Sequence, residues 1–162
     1  MTSGTTKRKI WIASDHAGFA LKAEIQRLLP DYDWQDIGPI DGASSVDYPD
    51  FAKKLGQEIA HRNGNGESAV GILICGSGIG MSIAANKISG IRAALVENPI
   101  SARLSREHND ANVLCLGSRI LAPEYGAEIT KIWLETPFSG NPRHCMRVKK
   151  ISELESSTET KS

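Results

Sequence analysis

A cysteine followed by a glycine-rich turn is the part of this sequence whose residues are best suited to chemistry. An apolar run over 70–74 directly precedes Cys75, and Gly76, Gly78 and Gly80 follow it. The apolar run predicts a buried parallel strand, and the glycines permit a tight turn in which backbone N–H groups converge. A helix is predicted to come next. A strand, a glycine turn and a helix N-terminus together predict an anion-binding site with a thiol beside it.

Two interpretations of Cys75 remain open from its position alone. A free cysteine is most often a small buried apolar residue. A thiol at a helix N-terminus, however, has its thiolate stabilised and can act as a base or a nucleophile. Cys115 lies in an apolar run and Cys145 in a polar segment, and both are interpreted as structural or incidental. Because the three cysteines contain no close pair, neither a disulfide framework nor a metal site is predicted.

The glycine turn does not match the common nucleotide-binding motifs. A P-loop carries lysine after its second glycine, whereas Ser77 follows Gly76 here. The dinucleotide pattern G-x-G-x-x-G would need glycine where Met81 or Ile83 stands. The sequence therefore does not favour NAD binding.

Length and charge restrict the class of protein. The chain has 162 residues, enough for one domain with its own core, predicted over 8–155 with flexible termini at 1–7 and 156–162. Nineteen basic residues balance nineteen acidic ones, so there is no basic excess for nucleic acid. Neither a signal peptide nor a membrane span is visible. We expect a reduced, cytoplasmic protein without nucleic-acid or membrane partners.

Short apolar strands alternate with helices along the chain. The predicted strands cover 9–14, 32–37, 70–74, 91–96 and 113–116. Helices are predicted over 21–29, from 49 to about 63, over 82–87, from 99 towards 108, after 123 and over 143–154. This alternation is typical of an α/β fold, a Rossmann-like three-layer αβα sandwich with a five-stranded parallel sheet and an additional C-terminal helix.

Polar residues follow several of the predicted strands. Asp15 and His16 follow the first strand, the glycine turn follows the third, and Arg119 follows the fifth. Ligands of such sheets bind beyond the carboxyl ends of the strands, so we predict the site there. Further along, Arg143 and Arg147 are one helical turn apart. They could clamp a phosphate, or they could belong to an exposed charged face.

Five stretches of the sequence resemble one known family, ribose-5-phosphate isomerase B, which is grouped with the galactose-6-phosphate isomerases. These stretches are SDHAGF at 14–19, VDYPDF at 46–51, ICGSGIGMSIAANK at 74–87, SREHNDAN at 105–112 and LGSR at 116–119. The resemblance runs in order from about residue 10 to residue 154. It implies an aldose–ketose isomerase that interconverts D-ribose 5-phosphate and D-ribulose 5-phosphate without a metal or other cofactor. It also implies a homodimer, in some members a tetramer, with active sites shared between subunits.

The resemblance implies a role for each matching residue. Cys75 corresponds to the base of the cis-enediolate mechanism, Ser77 to its polar neighbour and His108 to the residue that opens the sugar ring. The other matching residues bind substrate: Asp15 and Asp47 at the sugar hydroxyls, His16, Arg119, Arg143 and Arg147 at the phosphate, Tyr48 and Asn109 along the substrate, and Gly76, Gly78, Ile79 and Gly80 around the enediolate oxygen.

Two alternatives stay open at this stage. The same chemistry could act on a hexose 6-phosphate of the allose or galactose type, because a longer sugar needs only a slightly deeper pocket. A non-catalytic sensor of sugar phosphates could also use this scaffold, although a sensor has no need of a reactive thiol beside the anion site.

Overall fold

The centre of the molecule is a five-stranded parallel sheet. The computed structural model describes residues 7–156. The strands are β1 (Lys9–Ser14), β2 (Asp33–Asp36), β3 (Gly71–Cys75), β4 (Ala93–Leu95) and β5 (Val113–Gly117). Their order across the sheet is β2-β1-β3-β5-β4, and every neighbouring pair is parallel. The predicted fold class is confirmed. The termini expected to be flexible lie outside the described residues, apart from Lys7 and Ser156.

Within residues 7–156, six helices connect or follow the strands. They are α1 (Phe19–Leu28), α2 (Tyr48–Gly64), α3 (Ile79–Ala85), α4 (Pro99–Asn109), α5 (Pro123–Glu135) and α6 (Pro142–Ser156). The helix predicted over 82–87 begins earlier, because the glycine turn is complete at Gly78, whose φ is 76°. It also ends earlier. The Asn86 side chain exchanges two 2.9 Å hydrogen bonds with the backbone of Ala93, which directs the chain into β4.

Both faces of the sheet are covered, and successive strand residues point to opposite faces. On one face Ile12, Ile72 and Leu114 form a core with α1 and α5, whose Trp133 is fully buried. On the other face Leu73 and the two strand cysteines pack against α2 and α3. This arrangement is the predicted three-layer sandwich.

The course of α4 determines which residues can meet. The helix begins after the carboxyl end of β4 and returns to the amino end of β5, so it runs antiparallel to the strands. Its 11 residues span about 16 Å at about 1.5 Å per residue. The first and last turns of α4 therefore lie at opposite edges of the sheet. Among residues 7–156, no helix is long and apolar enough to cross a membrane.

Candidate active site

Cys75 is the last residue of β3, and its thiol receives a backbone hydrogen bond from the turn that follows. Only 4% of Cys75 is exposed, and the N–H of Gly78 donates to its Sγ over 3.2 Å. Gly78 itself has a left-handed φ of 76°, a conformation that favours glycine. The Oγ of Ser77 accepts a 3.3 Å hydrogen bond from the N–H of Ile79. The thiol is therefore held beside a turn rich in backbone N–H groups.

Two side chains expected in the site lie against glycines of this turn, close to the position that the Cβ of a larger residue would occupy. A Cβ built on Gly76 would lie 3.1 Å from the guanidinium carbon of Arg119. A Cβ on Gly80 would lie 2.6 Å from the ring of Tyr48. The N–H of Arg119 also donates to the carbonyl of Gly76 over 2.9 Å. Because these two glycines have no side chain, Arg119 and Tyr48 can approach the backbone of the turn closely.

The segment after β1 completes this side of the site. The N–H of Asp15 donates to the carbonyl of Ile74 over 3.1 Å, which joins the ends of β1 and β3. The Asp15 carboxylate is buried and accepts the N–H of Gly18 over 2.9 Å. The Nδ1 of His16 accepts the N–H of Val46 over 3.2 Å. This bond holds the chain immediately before Asp47, an exposed residue whose side chain makes no capping hydrogen bond to α2.

We name these residues the carboxyl-edge group. Its members, all of them expected from the sequence, are Asp15, His16, Asp47, Tyr48, Cys75, Gly76, Ser77, Gly78, Ile79, Gly80 and Arg119. They lie beyond the carboxyl ends of β1, β3 and β5, which are neighbours in the sheet, where parallel α/β sheets bind ligands.

The remaining expected residues form a second cluster at the other edge of the sheet. This amino-edge group comprises His108 and Asn109 in the last turn of α4 and Arg143 and Arg147 in α6. The two arginines are exposed. Because α4 spans about 16 Å between the edges, a single chain does not bring the amino-edge group to Cys75.

Sequence reasoning missed the residue that joins the amino-edge group. His144 is only 7% exposed, and its ring centroid lies 4.3 Å from that of His108. Its Nδ1 lies 2.8 Å from the Oγ of Ser139. A signal was present, because helical spacing places His144 on the same face as Val148 and Ile151.

Two groups near these clusters have shifted pKa values. Burial raises the pKa of the Cys115 thiol, and the nearby Cys75 raises it further, so Cys115 stays protonated. Burial also lowers the pKa of His144. Electrostatic repulsion from His108, Arg143 and Arg147 lowers this pKa further, while a hydrogen bond to the Glu107 backbone raises it. The net effect favours the neutral imidazole of His144 over its charged form.

Comparison with known proteins identifies the family. The family model described as Ribose/Galactose Isomerase matches residues 10–151. Ribose-5-phosphate isomerase B of Escherichia coli is 43% identical, over 91% of this chain and 97% of that protein. The solved type B ribose 5-phosphate isomerase of Trypanosoma brucei is 44% identical with a TM-score of 0.84, over 92% of this chain and 99% of that one. A Mycoplasma genitalium ribose-5-phosphate isomerase B, solved with bound ribulose-5-phosphate, is 40% identical with a TM-score of 0.84, over 91% and 96% of the two chains. The chain belongs to the ribose/galactose isomerase family.

Proposed function

We propose that this protein interconverts D-ribose 5-phosphate and D-ribulose 5-phosphate, with Cys75 as the base. The observation that carries the proposal is the thiol of Cys75 at the carboxyl edge, 3.2 Å from the N–H of Gly78. Support for the substrate comes from the relatives that are named ribose-5-phosphate isomerase B, one of them solved with ribulose-5-phosphate.

The reaction moves two hydrogens without any net change in protons. After the sugar ring opens, a base removes the proton from C2 and delivers a proton to C1, while another proton passes from the C2 oxygen to the C1 oxygen. The thiolate of Cys75 is the base for the carbon-bound proton. It forms an S–H bond as the C2–H bond breaks, and a proton then passes from sulfur to C1. The S–H proton can exchange with water between these two steps.

The glycine turn stabilises the cis-enediolate that forms between these steps. Negative charge develops on the substrate oxygens, and backbone N–H groups already directed at that position stabilise it without reorganisation. Ser77 assists from the same turn. Its Oγ accepts the N–H of Ile79, so its own hydrogen is free for donation to a sugar oxygen.

We further propose that the protein is a homodimer in which each active site combines the carboxyl-edge group of one subunit with the amino-edge group of the other. A pentose phosphate is too short to touch both groups within one chain, given the length of α4. Exposed apolar side chains flank the glycine turn and favour a protein partner there. They are Ile79 and Ile83 on α3, 51% and 58% exposed, and Ile100 on α4, 64% exposed.

The test of the activity is an isomerase assay with ribose 5-phosphate on wild type, Cys75→Ala and the control Cys145→Ser, each with and without EDTA. Cys145 is exposed and lies outside both groups. We expect Cys75→Ala to bind the substrate but to lose about 10²- to 10⁴-fold in kcat, the usual contribution of general acid–base catalysis. Near-normal turnover by Cys75→Ala would refute the base assignment.

Two outcomes of the same assay would replace the proposed substrate or activity. A higher kcat/KM on allose 6-phosphate or galactose 6-phosphate than on ribose 5-phosphate would identify a hexose-phosphate isomerase. Binding of these sugars by the wild type without turnover of any of them would identify a sensor.

A heterodimer of two inactive variants tests the shared site. Cys75→Ala and His108→Asn chains with different tags are coexpressed, and the heterodimer is purified on both tags. One of its sites then carries both substitutions and the other carries neither, so we expect about half of the wild-type activity. A heterodimer as inactive as its parents, or a protein that forms no heterodimer, would contradict the shared site.

A further inference from the structure

His144 is buried at the start of a helix whose neighbouring residues are exposed. Residues 141–143 and 145–147 all face solvent, whereas His144 is 7% exposed. Burial of an imidazole is unfavourable unless its nitrogens find partners. Here Nδ1 lies 2.8 Å from the Oγ of Ser139. An apolar side chain could pack α6 against α4 without needing hydrogen-bond partners. The presence of an imidazole at this position therefore requires an explanation.

Ser139 is held firmly by the two helices that it connects. Its N–H donates to the carbonyl of Glu107 in α4 over 3.2 Å. Its Oγ accepts the N–H of Asn141, immediately before α6, over 3.2 Å. The hydroxyl that contacts His144 therefore has a defined position relative to the last turn of α4, which carries His108.

The ring of His144 lies against the ring of His108. The two centroids are 4.3 Å apart and the ring planes are tilted by 41°. His108 is exposed, so this contact limits its ring on one side and leaves the other side open to solvent.

The surroundings of His144 keep it uncharged. The positive or titratable groups that face it are His108 from α4 and Arg143 and Arg147 from α6, and Glu107 contributes its backbone. Burial and these positive charges all favour the neutral ring. A charged His144 would repel a protonated His108, whereas a neutral ring can remain in contact with His108 in either protonation state.

We propose that His144 is a positioning residue for ring opening, which orients the imidazole of His108 while Ser139 orients His144. The inference rests on the proposed isomerase function. Ring opening breaks the bond between C1 and the ring oxygen. A proton leaves the C1 hydroxyl and a proton reaches the ring oxygen, which gives an aldehyde at C1 and a hydroxyl at C4. An imidazole can transfer these protons only when a ring nitrogen is aimed at the sugar.

Two assays on the same proteins separate ring opening from the later steps. Isomerisation of ribose 5-phosphate requires ring opening, because this aldose is a furanose in solution. Exchange of a C1 hydrogen of ribulose 5-phosphate in D₂O, followed by NMR, does not. With its C5 oxygen phosphorylated, this ketose has no hydroxyl with which to close a five-membered ring.

The variants divide the contacts of His144. His144→Asn retains a polar group near Ser139 but loses the ring, His144→Phe retains the ring but loses the hydrogen bond, and Ser139→Ala is the milder change. The control is Cys145→Ser. We expect His144→Asn to lower kcat for ribose 5-phosphate by about 10- to 100-fold, as misplaced catalytic groups do. KM and the exchange rate should stay within about twofold of wild type, and Ser139→Ala should give the same pattern with a smaller loss.

The outcomes distinguish this inference from the proposed function. Equal losses of isomerisation and exchange in His144→Asn, or in Ser139→Ala if the first variant does not fold, would overturn the positioning role. The double variant His108→Asn/His144→Asn gives a second test. If its kcat is lower than that of His108→Asn by the same factor that His144→Asn alone produces, the positioning role is overturned, since a residue that acts through His108 has no effect once His108 is gone. A wild-type protein that catalyses neither reaction would instead refute the isomerase function, and this inference with it.

Discussion

Alanine at position 78 should disturb both the stability and the activity of the protein. Gly78 has a φ of 76°, which costs a residue with a Cβ about 1–2 kcal/mol. Its Cβ would also lie 2.6 Å from the Cδ1 of Leu95 and 2.9 Å from the backbone carbonyl carbon of Leu116. The leucine side chain can turn away. The backbone of Leu116 cannot, because it belongs to a strand with neighbours on both sides.

Gly66→Ala provides a matched control for the backbone strain. Gly66 has a φ of 85°, but nothing lies within 4 Å of the position of its Cβ. This variant should therefore lose only about 1–2 kcal/mol. Gly78→Ala should lose about 2–5 kcal/mol, because overpacking adds about 1–3 kcal/mol to the same strain. For a chain of this size, about 2–4 °C of Tm is lost per kcal/mol.

The two variants should also differ in catalysis. The clash at position 78 pushes the turn away from β5 and moves the N–H that now lies 3.2 Å from the thiol of Cys75. We expect kcat for ribose 5-phosphate to fall at least about tenfold in Gly78→Ala and to stay at the wild-type value in Gly66→Ala. Thermal unfolding and the isomerase assay measure both effects. Equal losses of Tm with unchanged kcat in both variants would refute this reasoning.

Three further predictions concern the amino-edge group and the core. Arg147→Ala should raise KM for ribose 5-phosphate about tenfold with little change in kcat, because phosphate contacts stabilise the ground state and the transition state alike. The control is Lys149→Ala, an exposed residue of the same helix, which should leave KM unchanged. An unchanged KM in Arg147→Ala would show that Arg147 is an ordinary surface charge. The folded-state pKa of His144 lies below its unfolded value, so the unfolded state binds more protons and stability should fall as pH drops below about 6.5. Urea unfolding at pH 7.5 and pH 5 should show this slope in wild type and a weaker slope in His144→Asn. Asp36→Ala should lower the free energy of unfolding by about 3 kcal/mol, because it leaves the ammonium of Lys22, whose side chain is 2% exposed, without the carboxylate 2.8 Å away. Lys22→Met should cost less in the same unfolding experiment.

The sequence was sufficient to predict the sheet and which candidate site residues lie together at its carboxyl edge. Buried parallel strands are nearly continuous apolar runs, so β1, β3 and β5 stand out from their surroundings. Since parallel strands end at a common edge, Asp15, Cys75 and Arg119 could be expected together, and the structure places them there. Gly78 with its positive φ lies at the predicted turn. Each of these predictions depends on local patterns and on a general rule of α/β sheets.

The rest of the site depends on packing between distant segments, which local patterns do not contain. Tyr48 lies against Gly80 because α2 packs on α3, and nothing near either residue in the sequence indicates that contact. The burial of His144 similarly depends on Ser139 and on the end of α4. The separation of His108 from Cys75, by contrast, follows from the direction of α4. It could have been inferred from the predicted helix by counting its length.

Helix α6 is attached near both of its ends, and this has a consequence for substrate choice. His144 holds its first turn against α4, while the carboxylate of Glu155 accepts hydrogen bonds from the Oγ of Ser89 over 2.8 Å and from the N–H of Gly90 over 3.0 Å. Arg147, which lies between these two contacts, therefore has a fixed position relative to the rest of its subunit. In the proposed shared site, the phosphate binds Arg143 and Arg147 of one subunit and the reacting carbons lie at Cys75 of the other. The distance between these two points, which depends on how the subunits pack, would then select the length of the sugar. Changes that convert a pentose enzyme into a hexose enzyme should then be sought at the subunit interface as well as in the glycine turn.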